Sequence, residues 1–288
     1  PWTINNRLHD KLFIIDSDYA ITGGRNIADK LYGYDQKLIS PVYDRDILIK
    51  RNDEVSIIDS MNSYFTTLLE LKYVKELKAE KINTKPRFEV KQPPFEVDLS
   101  TVTSSFITPE WIIRISNPQG RMSKAPIIWD TLLELMGHAK KEVILQSPYI
   151  VTTAKQFKEL KKIDAPLYYL TNSINTTPNA PAFSAYLVTK PALLKTGKIK
   201  EYNGIGSIHA KTILIDEDIS IIGSFNLDPR SLYLDTESMY VIKSKELNQQ
   251  LRTVMNHYAA EDTASSSKLK HIALYVLGII SFPFRMLV

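Results

Sequence analysis

The most restrictive feature of this sequence is an internal repeat. Residues 9–26 (HDKLFIIDSDYAITGGRN) and 209–226 (HAKTILIDEDISIIGSFN) align without a gap at an offset of 200. His, Lys, Asp, Gly and Asn recur at matching places: His9, Lys11, Asp16, Gly23 and Asn26 in the first copy, His209, Lys211, Asp216, Gly223 and Asn226 in the second. With each residue type used at a few per cent, a five-position match arises by chance roughly once in a million starting positions or less. Two in one chain point to duplication. In each copy an apolar run (Leu12 to Ile15, Ile213 to Ile215) ends at an Asp, and a second run (Tyr19 to Thr22, Ile219 to Ile222) ends at a Gly. The pattern predicts strand, tight turn, strand, with the turns at Asp16-Ser17-Asp18 and Asp216-Glu217-Asp218.

Strand alternation puts His9 and Lys11 on one face, and likewise His209 and Lys211, so that an imidazole and an ammonium project together. This arrangement suits a phosphate. Transfer at a phosphodiester needs a nucleophile, an acid for the leaving alkoxide and positive charge on the non-bridging oxygens. One neutral imidazole attacks phosphorus to give a phosphohistidine, and the imidazolium of the other copy protonates the departing alcohol. Its deprotonated form then activates the acceptor alcohol or water. Lys11 and Lys211 serve as fixed charges, with Asn26 and Asn226 donating to phosphate oxygens. Neither a metal nor another cofactor is called for, so activity is expected to survive EDTA. Gly23, Gly24, Gly223 and Ser224 are candidates to approach the substrate with their backbone.

A nucleophilic His needs an acceptor on its other ring nitrogen. Glu237 is the candidate partner of His209; for His9 the options are Asp44 and Asp46. Asp16 and Asp216, at hairpin ends, read as turn and backbone partners. His138, His257 and His271 lack such a pattern and read as structural or surface residues.

The 288 residues are enough for two domains, and 44% hydrophobic with 24% charged residues is the composition of a folded globular chain. The net charge of +4 suits an anionic partner, phospholipid or nucleic acid, without choosing between them. The absence of cysteine excludes disulfides and thiolate metal sites. Between the motifs, residues 54–77 have helical spacing, and the polar, Pro-containing stretch 81–105 reads as a linker. Beyond it the sequence predicts a strand (111–115), a helix (127–140), a strand (142–146), a helix (154–163) and a strand (166–171). This alternation indicates α/β layers. About a hundred residues of such structure precede the second motif and eight precede the first, so a first domain truncated at its N-terminal side is expected. The division expected is 1–100, 101–262 and an apolar tail 263–288.

These residues resemble the phospholipase D superfamily. Gly223-Ser224-Phe225-Asn226-Leu227-Asp228-Pro229-Arg230-Ser231 with Thr236-Glu237, together with Gly23-Gly24-Arg25-Asn26-Ile27, Gln146-Ser147-Pro148-Tyr149 and Leu170-Thr171-Asn172-Ser173, is similar to bacterial cardiolipin synthases of the phospholipase D type, most closely the short branch. The resemblance implies two α/β/α sandwich domains, each a mixed sheet flanked by helices, with both motifs lining one cleft. It implies a phosphatidyl-histidine intermediate and transfer of a phosphatidyl group to phosphatidylglycerol, with His9 favoured as nucleophile and His209 as acid. Phospholipid substrates, a membrane surface and a peripheral place at the bacterial cell membrane follow. Hydrolysis or nuclease action is the competing reading; no dense basic patch interleaved with aromatics supports nucleic acid. A membrane-bound scaffold without turnover is the third, and two complete motifs argue against it.

The tail, His271 to Ser281 (HIALYVLGIIS) and then Phe282 to Val288, is too short to cross a bilayer. It is of a length either to lie in the interface, with Lys268, Lys270 and Arg285 near headgroups, or to dock on the domain as an ordinary C-terminal helix.

Overall fold

The computed structural model describes residues 7–32, 41–72, 74–76, 105–120, 124–261 and 267–283. Of the expected linker (81–105) all but Ser105 lies outside these, as do the last residues of the tail (284–288). The repeat folds as a pair of hairpins. β1 (Leu12–Ile15) pairs antiparallel with β2 (Tyr19–Gly23), and β10 (Thr212–Ile215) with β11 (Ile219–Gly223). Leu12 faces Thr22 and Thr212 faces Ile222, so the register, too, repeats at an offset of 200. Asp16 and Asp216 open the turns in the left-handed region, each at φ 51°, which an Asp tolerates better than a bulky residue. Asp216 also accepts from the backbone N–H groups of Lys140, Lys141 and Glu142, at 2.7–3.2 Å. It thereby fixes the start of β6 (Val143–Gln146), the neighbour of β10.

Around the second hairpin the sheet has seven strands in the order β5-β12-β11-β10-β6-β7-β8. β5 is Trp111–Ser116, β6 Val143–Gln146, β7 Leu167–Asn172, β8 Lys198–Tyr202 and β12 Ser238–Lys243. The pairs β6/β7 and β7/β8 are parallel and the others antiparallel. The sheet is therefore mixed. Among the described residues the helices are α1 (Asp29–Tyr32), α2 (Ile57–Leu69), α3 (Ile127–Gly137), α4 (Ala154–Leu160), α5 (Ala180–Leu193), α6 (Pro229–Tyr233), α7 (Lys245–Ala260) and α8 (Lys268–Ser281). The elements expected at 111–115, 127–140, 142–146, 154–163 and 166–171 are present, with helix ends drawn in by three residues. The helix expected over 54–77 is shorter. Ser56 and Asp59 close a capping box at its start, which sets its first turn.

One face of the large sheet is covered by a core that includes Ile128, Trp129, Leu132 and Met136 of α3 against Ile213, Ile215 and Ile221. The other face carries a second core shared by the two halves, with Ala20, Ile58 and Met61 from the first and Leu214, Ile222 and Tyr240 from the second. The first half contributes a three-stranded sheet, β1-β2-β4, with β4 at Asp46–Lys50. Its outer face differs from its counterpart. Phe13, Ile15 and Ile21 are exposed where Ile213, Ile215 and Ile221 are buried, because no described residue takes the place of α3 there. The architecture is the mixed α/β sandwich expected.

Candidate active site

Each motif histidine sits three residues before a strand, and the register of the surrounding sheets decides what it meets. Gly23 faces Asp46 across β2 and β4, and Gly223 faces Met239 across β11 and β12. Counting back three residues from each partner, Tyr43-Asp44 and Thr236-Glu237 occupy equivalent places in the two halves. Each of these segments runs parallel to the approach of the other half's histidine. β3 (Val42–Tyr43) pairs with β9 (Ser207–Ile208), and Leu8 bridges Thr236. The His9 N–H donates to the Thr236 carbonyl at 3.1 Å, and the His209 N–H to the Tyr43 carbonyl at 2.7 Å. One residue further on, each acid lies opposite the histidine of the other half.

The side chains complete this exchange. His9 Nδ1 is 2.9 Å from both carboxylate oxygens of Glu237, and His209 Nδ1 is 2.5 Å from Asp44 Oδ2. The expected partners are thus interchanged: Glu237 belongs to His9 and Asp44 to His209. Asp46, the other option for His9, is bound instead to Arg25, whose Nε lies 2.5 Å from Oδ2. The physical reason is the parallel inter-half pairing, which sequence distance does not reveal. Asp44 lies 35 residues after His9 and Glu237 28 after His209, and this proximity in sequence suggested partners within one half.

The lysines turn back on their own histidines. Lys11 Nζ donates to the His9 carbonyl, and Lys211 Nζ lies 3.0 and 3.3 Å from the ring nitrogens of His209. Burial is the leading influence on all four groups. It pulls His9 down to about 3, helped by Lys11 and Lys211, and His209 to about 4, helped by Lys211 against the hydrogen bond from Asp44. Lys211 falls to about 8, and Lys11 is lowered as well. Each lysine is among the charges acting on the other motif's histidine, so the two motifs share one electrostatic site. Both imidazoles rest neutral. With Nδ1 given to the ionised Asp44, His209 keeps an Nε2 lone pair; His9 keeps one when Glu237 is ionised and accepts from Nδ1.

The two acids differ. Burial tends to raise Asp44, but the bond to His209 and the charge of Lys211 outweigh it and hold the carboxyl below its usual range. Burial pushes Glu237 up to about 8, against the pull of Lys11 and the hydroxyl of Ser224. Ser224, expected among the substrate contacts, donates its Oγ–H to Glu237 Oε2 at 2.5 Å, so its side chain is spent on holding the acid. Gly23 and Gly223 also serve the scaffold. A Cβ at either would collide with the facing backbone, at Arg45 O and Ser238 O respectively. Gly24 lies nearer the chemistry, because a Cβ there would strike the Asp44 carboxylate and approach the Lys211 stem at 3.3 Å. The asparagines are unlike each other. Asn226 is buried with its side-chain oxygen unpartnered among the described residues, whereas Asn26 is exposed. His138 and His257 are solvent-exposed, and His271 sits on the first turn of α8 against the Ser267 carbonyl.

Several residues of the site carried no sequence signal. Asp10 accepts from the Tyr64 hydroxyl at 2.7 Å, and Asp235 pairs with Arg230 at 3.2 Å and accepts from the Arg7 N–H. Arg45 reaches across the halves to Gln146 Oε1 at 2.8 Å. Only Tyr43-Asp44-Arg45-Asp46, a charged run at a strand end, hinted at such a role. Among the described residues no group of His, Asp and Glu could hold a metal ion.

Residues 132–259 match the family model described as "Cardiolipin synthase, PLD-like domain". The large mixed sheet flanked by helices, the duplicated motif and this match agree. The part of the chain that carries the second motif is thus similar to that PLD-like domain. Among similar proteins, cardiolipin synthase C of Escherichia coli K12 is 25% identical over 302 residues, covering 89% of this chain and 63% of that protein. Cardiolipin synthase of Listeria welshimeri serovar 6b is 32% identical over 256 residues, covering 86% of this chain and 47% of its own length. The chain thus spans about half to two-thirds of these relatives. The phosphatidylserine synthase structure from Haemophilus influenzae Rd KW20 has the same fold, with a TM-score of 0.63 at 14% identity, over 98% of this chain and 71% of that one.

Proposed function

We propose that this phospholipase D-type chain is a phosphatidyltransferase that makes cardiolipin from phosphatidylglycerol and a second phospholipid. The observation that carries the chemistry is the crossed pair of His–carboxylate contacts. They give two oriented imidazoles, each acted on by both lysines, and hence one site rather than two. The lipid class rests on the matched domain and on relatives whose names are those of cardiolipin synthases.

His9 is the nucleophile. Its Nε2 attacks the phosphorus of the donor as His209 Nε2–H gives its proton to the departing alcohol, leaving a phosphatidyl group on His9. The acceptor hydroxyl then yields its proton to His209 and attacks phosphorus, and His9 leaves with its lone pair. The unequal acids favour this assignment. Glu237 in its ionised form, strongly basic through burial, takes up the charge that develops on His9 as it attacks. Asp44, held ionised, favours the imidazolium that His209 must become. Bound phosphodiester offsets Lys11 and Lys211, the charges that keep His209 neutral in the empty site. Asn226 and the two lysines bind the non-bridging oxygens, and the chemistry assigns no step to a metal. When water replaces the acceptor alcohol, the product is phosphatidic acid. Nucleic acid is not the substrate of this reading, and its place is the surface of the bacterial cell membrane.

The test is incubation with labelled phosphatidylglycerol and, separately, single-stranded DNA, comparing wild type with His209→Ala. Cardiolipin and glycerol are expected from wild type, with a loss of at least about a thousandfold in the variant. Cut DNA without lipid product, or product unaffected by His209→Ala, would refute the reading.

A further inference from the structure

Helix α8 (Lys268–Ser281) lies against α5 (Ala180–Leu193), and the two faces of α8 are both apolar. The inner face is set by close approach. A Cβ at Gly278 would collide with the Ser184 carbonyl, and Leu274 packs on the main core. His271, Leu274, Gly278 and Ser281 recur at helical spacing and are the turned-in positions. On the opposite side Leu269, Ile272, Val276, Ile279 and Ile280 form a continuous stripe. Leu269 is 76%, Ile272 61% and Ile280 69% exposed.

A helix already docked on its own domain should turn a polar face outward. Helix α7 (Lys245–Ala260) does so. It buries Asn248, Leu251 and Met255 and leaves Lys245, Glu246, Gln249, Gln250 and Asn256 in solvent. The outer stripe of α8 breaks this rule within the same molecule. From Lys268 to Ser281 the helix has no Asp or Glu, and its charged residues, Lys268 and Lys270, flank the stripe at the first turn. That turn stands at the catalytic end of the domain. Lys270 Nζ donates to the Ile174 carbonyl at 3.0 Å. Two residues earlier, the Asn172 amide bridges the carbonyls of Pro148 and Ile208, next to His209. No described helix is long and apolar enough to cross a membrane.

We infer that the outer face of α8 docks on an anionic bilayer surface, its apolar stripe in the acyl boundary and Lys268 and Lys270 among the headgroups. The helix lies in the plane of the interface, as a short apolar stripe with basic flanks does. Because the basic turn is at the cleft end, docking brings the His209 side of the cleft toward the headgroup layer from which lipid is drawn. The lipid reading above supplies the reason for a membrane visit; the docking face itself rests on α8.

The test uses the full chain and the variant Ile272→Glu/Ile280→Glu, whose two sites lie on the outward face. Co-sedimentation is measured with phosphatidylglycerol/phosphatidylcholine vesicles and with phosphatidylcholine alone. Wild type is expected to pellet with the anionic vesicles, and the variant to lose about tenfold or more of that binding. Turnover of monomeric short-chain phosphatidylglycerol should be unchanged by the substitutions. Equal vesicle binding by variant and wild type would overturn the proposal. So would a wild-type dimer in solution that the variant converts to monomer, which would assign the face to a second copy. Loss of vesicle binding without short-chain turnover in either protein would keep the docking face and refute only the lipid chemistry.

Discussion

At the scale of single residues the site is a balance between burial and charge. His209 rests near a pKa of about 4 because burial and Lys211 outweigh Asp44. An anion placed against the lysines should reverse part of this. Adding inorganic phosphate is therefore expected to raise the His209 titration midpoint in an imidazole NMR titration; a midpoint that stays or falls would place the anion elsewhere. Lys211, at about 8 in the empty site, is charged below that pH and loses its charge above it. The kcat/KM profile for a phosphodiester should consequently fall on the alkaline side of about pH 8, and a profile flat to pH 10 would remove Lys211 from phosphate binding. The motif residues themselves were legible in the sequence, since a duplicated His-x-Lys with Asn has little other use. The pairing of His9 with Glu237 and of His209 with Asp44 was not. It is made by parallel contact between Leu8 and Thr236 and between Ile208 and Tyr43, and nothing in residue type announces which short strand meets which.

At the scale of elements the hairpins carry the lysines and the turns hold the hairpins. Asp216 joins the β10–β11 turn to the start of β6 through three backbone N–H groups. Asp216→Ala removes these acceptors and places an alanine at a left-handed φ, so thermal unfolding should show a loss of about 2 kcal/mol. Asp216→Asn, which tolerates that φ and keeps one acceptor, should lose less. Equal losses would mean that the carboxylate contacts contribute nothing. The hairpins, α3, β6 and β7 were visible because apolar runs end at turn residues there. β12, buried throughout except at Lys243, and α5, carrying Pro191 inside the helix, gave no clean period, and both came from the fold rather than the pattern.

At the scale of the whole molecule, the site exists only where the two halves meet. Each half supplies one histidine, one lysine and the acid for the other's histidine, over a core shared by Ala20, Met61, Leu214 and Tyr240. This has a consequence for acid stability. His209 is lowered on folding from 6.5 to about 4, so between these values the unfolded chain binds a proton that the folded one refuses, and stability falls as pH drops through that window. Glu237, raised by burial, acts with the opposite sign in an overlapping range. The comparison is therefore between proteins: His209→Gln should flatten the decline of the thermal midpoint from pH 6.5 to 4 relative to wild type, and an unchanged slope would contradict the assigned shift.

In the proposed mechanism the crossed site works through a covalent phosphatidyl group on His9, released by His209. The direct measurement is intact-protein and peptide mass spectrometry of His209→Ala after exposure to a phosphatidyl ester with a p-nitrophenol leaving group, which needs no acid to depart. An adduct of one phosphatidyl group is expected to accumulate on the peptide bearing His9 and to be absent from His9→Ala/His209→Ala. No adduct, or one on any residue other than His9, would contradict that mechanism.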